Sequence, residues 1–272
     1  MLRRDSTCRG FGPLGPREAA TSATFAASEF EIGPWHDDDH HRKQHHRRGG
    51  KALAEILDVR GHILPVTIDK ATLVAELTDG SRIYGEQAID MPRGTQREKI
   101  RDVYLVPHHS DQVRVYPPVI KAIKAAELII LGPGDLFTSI LPNLIVPGVT
   151  EALRSATAPI FFVINVMTKY GETHRFKARD FVIELETVLQ RRLDGIIINS
   201  AKPNASLLKA YREQKADLVV VDTFDDWWAD RRLVAADLLD TTGGVVRHDS
   251  RKLAALIEGI AEDLTRRNGK AS

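Results

Sequence analysis

Apolar and polar positions along this chain follow one rhythm before about residue 107 and another after it. In the earlier stretch, short runs at 63–67, 73–77, 82–84 and 103–106 carry the alternation and β-branched residues of half-buried strands. Asp79-Gly80 between two of them is a hairpin turn signal, so a mostly antiparallel segment is expected there. Beyond Pro117 the runs at 128–131, 160–165, 195–199 and 218–221 are continuously apolar, as in strands buried on both faces. Between and after them lie helical stripes: Phe181, Val182, Leu185, Val188 and Leu189, then Leu253, Leu256, Ile257, Ile260 and Leu264. Buried strands alternating with amphipathic helices predict an α/β fold with a mainly parallel sheet flanked by helices. Residues 1–50 show neither period and are expected to be a disordered leader, set apart from an α/β domain over residues 51–268.

Composition narrows the function classes. Thirty-eight Lys and Arg against 37 Asp and Glu leave a net charge of +1, so no whole-chain field points to nucleic acid or an anionic membrane. The single cysteine, Cys8, excludes an internal disulfide and a Cys-clustered zinc site, and it suits a reducing compartment; the expected location is cytoplasmic. No apolar run approaches the roughly 20 residues of a membrane span, and no signal-peptide core is present, so no membrane insertion is expected. Half of the ten histidines fall within residues 36–46. They resemble a metal tract, but ligands on an unstructured tail lack fixed geometry, and a solvated tail is the better reading.

In open parallel sheets ligands bind beyond the carboxyl ends of the strands, which directs attention to three loops. The first, 132–139, reads Gly-Pro-Gly-Asp-Leu-Phe-Thr-Ser and runs on to Asn143. Gly132 and Gly134 let a backbone approach an anion, and Thr138 and Ser139 add hydroxyls at a helix start; such a sequence is either a phosphate cradle or simply a turn. The second, 165–173, offers Asn165, Thr168 and Glu172, which suit a ribose or sugar, a general base or a magnesium ligand, or else merely satisfy the loop's own backbone. The third, 245–250, precedes the last helix: Asp249 or Ser250 can cap it, and Arg247 can aim a guanidinium fork at a phosphate. Tyr211 either stacks on a base or packs on a helix.

The run Gly61-His62-Ile63-Leu64-Pro65-Val66-Thr67, the Asp79-Gly80 and Gly85-Glu86 pairs, residues 132–148, Asn165-Val166-Met167-Thr168 with Gly171-Glu172-Thr173, and Arg247-His248-Asp249 together resemble the bacterial gluconeogenesis factor family. That family is a branch of the superfamily containing 2-phospho-L-lactate transferase. The resemblance runs from about residue 52 to about residue 265. It implies a Rossmann-like core and a cytoplasmic, non-catalytic regulator that binds UDP-N-acetylglucosamine or UDP-glucose and links gluconeogenic growth to cell wall synthesis and cell shape. It also implies partners among cell-wall or carbon-metabolism proteins, with a homo-oligomer as an option. Carried over by position, residues 132–139 face phosphate, and Tyr211 and Arg247 contact the nucleotide sugar. The alternatives are a magnesium-dependent phospholactate transferase and a ligand-silent member of the family.

Four positions depart from the family pattern: Asp135 for a usual serine, Phe137 for tyrosine, Lys169 for glutamine and Phe181 for histidine. A carboxylate at 135 would repel a diphosphate unless a cation intervened. The family's opening strand, its Gly-Gly-Gly-Thr-Gly loop and the elements after them find no counterpart in residues 1–50. The expected organisation is therefore the family's later portion behind an unrelated leader. Ser250 sits where a phosphate at a helix start would be electrostatically favoured.

Overall fold

The computed structural model describes residues 23–26, 61–92, 97–221 and 226–268. Strand β1 (Ala23–Ala26) pairs in parallel with β2 (His62–Pro65). The rest of the expected leader lies outside the described residues. Within it, β1 is a strand where none was expected: Ala-Thr-Phe-Ala is too short to show a period, and only its pairing with β2 defines it.

Strands β3 (Ala71–Leu77), β4 (Arg82–Tyr84) and β5 (Ile100–Pro107) form the expected antiparallel sheet, in the order β4-β3-β5. The Asp79-Gly80 turn closes the β3–β4 hairpin: the Leu77 N–H donates to the Ser81 carbonyl at 2.8 Å, and the Asp79 carboxylate accepts from the Ser81 N–H at 2.9 Å. A short helix α1 (Glu86–Asp90) follows β4, and α2 (Pro117–Ala125) follows β5.

The parallel sheet has four strands in sequential order: β6 (Ile129–Leu131), β7 (Ile160–Val163), β8 (Gly195–Asn199) and β9 (Leu233–Ala236). After β6 a π-helical turn (Leu136–Ile140) leads into α3 (Leu141–Leu144) and then α4 (Val149–Arg154). Helix α5 (Ala178–Leu189) links β7 to β8, α6 (Ala205–Glu213) follows β8, and α7 (Ser250–Asn268) is the last element. The alternation along β7 divides the core. Ile160 and Phe162 face Phe181, Leu185 and Leu189 of α5, whereas Phe161 and Val163 face Leu253 and Ile260 of α7. The antiparallel sheet shares the first of these cores through Leu73, Ala75 and Val103.

One strand assignment is corrected. The Leu-Val-Val-Val run at 218–221 is not in the sheet; the fourth strand is β9. The backbone of the run holds down the loop after β7 instead: the Val219 N–H donates to the Val166 carbonyl and the Ala178 N–H to the Val220 carbonyl, both at 2.9 Å. The run thus has β propensity but a local partner, and Leu-Val-Ala-Ala takes the sheet edge with only partial burial. A two-stranded hairpin, β10 (Leu239–Asp240) with β11 (Arg247–His248), precedes α7. Among the described residues no helix is long and apolar enough to cross a membrane.

Candidate functional site

The loops following β6 and β7 meet at the carboxyl end of the sheet. Gly132 has φ 75°, and a Cβ there would lie 3.2 Å from the Val163 carbonyl oxygen at the end of β7, so a side chain would be both strained and crowded at this turn. The Asp135 carbonyl accepts from the Ser139 and Ile140 amides at 2.9 Å, which starts the π-helical turn. Asn165, immediately beyond β7, donates from Nδ2 to the Gly134 carbonyl at 3.0 Å and ties the two loops together. Asn143 donates to the Ser139 carbonyl at 2.6 Å. Thr138 turns inward and its hydroxyl donates to Glu172 at 3.3 Å, so that side chain is spent on the protein.

Glu172 is the buried centre of the arrangement, with 1% of its surface exposed. Its carboxylate also accepts the Phe137 N–H at 3.3 Å. Burial pushes its pKa up to about 7, against the pull of Lys169. The loop reaches this position through Gly171, whose φ is 86° and whose missing Cβ would stand 2.6 Å from the Pro92 ring.

Lys169 brings charges together from three parts of the chain. Its Nζ donates to Asp135 Oδ2 at 2.6 Å and to Asp90 at the end of α1, and it lies 3.3 Å from Glu172 Oε1. Burial alone would lower the lysine pKa, but Asp135, Asp90 and Glu172 raise it above the usual range. Two departures from the family pattern, Asp135 and Lys169, are therefore partners in one ion pair. Among the described residues, Asp90, Asp135 and Glu172 are the acidic group whose oxygens converge within 4.8 Å, the spacing a cation would need. The Lys169 ammonium already contacts all three, so the group does not fit a divalent ion such as the magnesium considered from the sequence.

The remaining expected residues have partners of their own. Tyr211 on α6 accepts the Val246 N–H at its hydroxyl, 2.9 Å away, which places it against the 246–248 segment. His248 forms a hydrogen bond with the Ile164 backbone, bringing that segment to the end of β7; burial keeps its imidazole below the usual range. Arg247 directs its guanidinium along its own hairpin, to Asp240 Oδ2 at 2.8 Å and Thr242 Oγ1 at 3.5 Å. Thr168 clasps Asp217, donating its N–H to the Asp217 carbonyl at 2.7 Å and accepting the Asp217 N–H at its hydroxyl at 2.9 Å. Of the eleven expected positions, Gly132, Gly134, Asp135, Thr138, Ser139, Asn143, Asn165 and Glu172 form one connected group. Tyr211 bonds the 246–248 segment, Arg247 turns along its own hairpin, and Thr168 is a structural clasp.

Three contributors were not anticipated as site residues: Asp90, Lys169 and His248. Asp90 carries no sequence signal, because only the packing of α1 brings it to Lys169. Lys169 and His248 lay inside motifs already singled out. Three polar atoms of these segments, Asn143 Oδ1, Asn165 Oδ1 and His248 Nε2, are buried without a partner among the described residues.

Comparison with known proteins agrees with this architecture. A family described as 2-phospho-L-lactate transferase CofD matches residues 41–239. The chain is 37% identical over 216 residues to a putative gluconeogenesis factor of Thermotoga maritima, covering 78% of this chain and 66% of that protein. It is 34% identical over 212 residues to the gluconeogenesis factor of Bacillus subtilis, covering 78% and 65%. A crystal structure of a UPF0052 family protein from Bacillus halodurans superposes with a TM-score of 0.69 at 29% identity, over 78% of this chain and 66% of that one. The chain thus spans about two thirds of the length of these relatives.

Proposed function

This chain belongs to the CofD family, with relatives named gluconeogenesis factor, and from that premise we propose that its crevice binds a nucleotide sugar, UDP-N-acetylglucosamine or UDP-glucose. In this reading the protein is a cytoplasmic regulator that couples gluconeogenic growth to cell wall synthesis and cell shape, and it binds its ligand without turning it over. The observation that carries the reading is Asn165. Its Nδ2 braces the Gly134 carbonyl while its Oδ1 stays buried and unpartnered among the described residues, as does His248 Nε2. A buried acceptor left unpaired costs about 1–3 kcal/mol, which a sugar or ribose hydroxyl would recover on binding. The diphosphate lies along residues 132–135, where Lys169 neutralises the Asp135 carboxylate, and Tyr211 and Arg247 close the crevice from α6 and β11.

Calorimetry with UDP-N-acetylglucosamine beside GDP tests this reading. The UDP-sugar should bind, GDP should not compete, and Arg247→Ala should weaken binding by roughly 1.5–3 kcal/mol, about ten- to more than a hundred-fold. Affinity left unchanged by both Arg247→Ala and Asn165→Ala would place the ligand elsewhere. Turnover of a deazaflavin acceptor in a magnesium-supplemented transferase assay would make the protein an enzyme instead. A folded protein that binds no nucleotide would be a ligand-silent member of the family.

A further inference from the structure

The cluster around Lys169 has a geometry suited to an ammonium ion. A lysine head carries three N–H donors and no acceptor, and Lys169 has three carboxylates to meet them: Asp90, Asp135 and Glu172. Its separations of 2.6 Å from Asp135 and 3.3 Å from Glu172 are those of charge-assisted hydrogen bonding and ion pairing, not of a magnesium ion, which holds oxygens at about 2.0–2.1 Å. The backbone of the lysine is anchored too. The Lys169 N–H donates to Thr173 Oγ1 at 3.0 Å, and the Thr173 N–H returns to the Lys169 carbonyl at 2.9 Å, so the head emerges from a closed turn. A tethered cation is always present, whereas a free metal must displace it and pay its own dehydration.

We propose that the Lys169 ammonium is the resident cation of the Asp90, Asp135 and Glu172 group, so that the site takes its anionic ligand without a divalent metal and gains a metal site only when Lys169 is removed. The ligand half of this statement rests on the nucleotide-sugar reading above; the metal half stands on the cluster alone. The raised pKa of Lys169 agrees with it, because the ammonium stays charged throughout the physiological range.

The test uses the full chain and Mn2+ alone, followed by the loss of the free-ion paramagnetic resonance signal. Wild type and Lys169→Arg should leave the ion free. Lys169→Gln should take up one equivalent at least ~10-fold more tightly than wild type, and Mg2+ should compete for it. Adding Asp135→Asn to Lys169→Gln should abolish that uptake. If wild type itself binds one equivalent and loses it in Asp135→Asn, the proposal is overturned, and this arm needs no lysine variant to fold. Lys169→Gln or Lys169→Met that keeps its circular dichroism spectrum yet takes up no ion overturns it as well. A final titration of wild type with UDP-N-acetylglucosamine, with and without EDTA, should give equal affinities. Loss of affinity in EDTA sinks the metal-free half, whereas no binding in either buffer counts against the nucleotide-sugar reading and leaves the Mn2+ result intact.

Discussion

Glu172 holds the Phe137 amide, the Thr138 hydroxyl and the Lys169 ammonium while almost wholly removed from water. Its pKa near 7 has a thermodynamic consequence. Between about pH 4.5 and 7 the folded protein binds a proton at this carboxyl that the unfolded chain has already released, so its contribution to stability falls as pH rises through that window. The full change is about 3 kcal/mol, and Glu172→Gln should remove it. Denaturant unfolding of both proteins from pH 4.5 to 8 should show the wild type losing stability relative to Glu172→Gln up to about pH 7 and the difference levelling off above it. A difference that does not change with pH would mean that Glu172 is ionised throughout. At this scale the sequence was partly legible. Glu172 and Asp135 were identified as candidates, but Asp135 and Lys169 looked like two separate departures, since a pair 34 residues apart shows no local spacing.

At the scale of elements, local signals served best where local chemistry decides. Asp249 was one of two expected caps for the last helix, and its Oδ1 accepts the Arg251 N–H at 2.9 Å and the Lys252 N–H at 3.1 Å. Asp249→Ala should therefore cost about 1 kcal/mol, a fall in melting temperature of roughly 2–4 °C, while Ser250→Ala should stay within about 0.5 kcal/mol. Equal losses in the two would remove the cap from Asp249. The stripe at 181–189 became α5, with Phe181, Val182, Leu185 and Leu189 fully buried, because its spacing encodes one face. The run at 218–221 misled for the opposite reason. β-branched apolar residues suit any extended backbone, and whether they join a sheet depends on which backbone groups reach them first; here Val166 does, at Val219.

For the whole molecule, protection should be graded by depth. Amides of β7, buried along its whole length, and of β8, buried except at Asn199, should exchange slowest. Those of the β10–β11 hairpin, joined through exposed Gly243 and Gly244, should exchange fastest. Hydrogen exchange followed by mass spectrometry reads this order, and a hairpin as protected as β7 would contradict it. By itself the sequence determined the α/β class, the antiparallel segment ahead of a parallel sheet, six of the seven strands of the two larger sheets to within a few residues, and the two loops that meet at the carboxyl end of the parallel sheet. Each of these is written in periodicity or in turn chemistry within a few residues of itself. Tertiary structure alone decided that β9 and not 218–221 completes the sheet, that Thr168 fastens Asp217 while Asn165 fastens Gly134, and that Asp90 closes a charge cluster with Lys169. Those outcomes depend on which groups meet after the chain has folded back on itself. Hydrogen bonds and ion pairs act over a few ångströms of space whatever the distance along the chain.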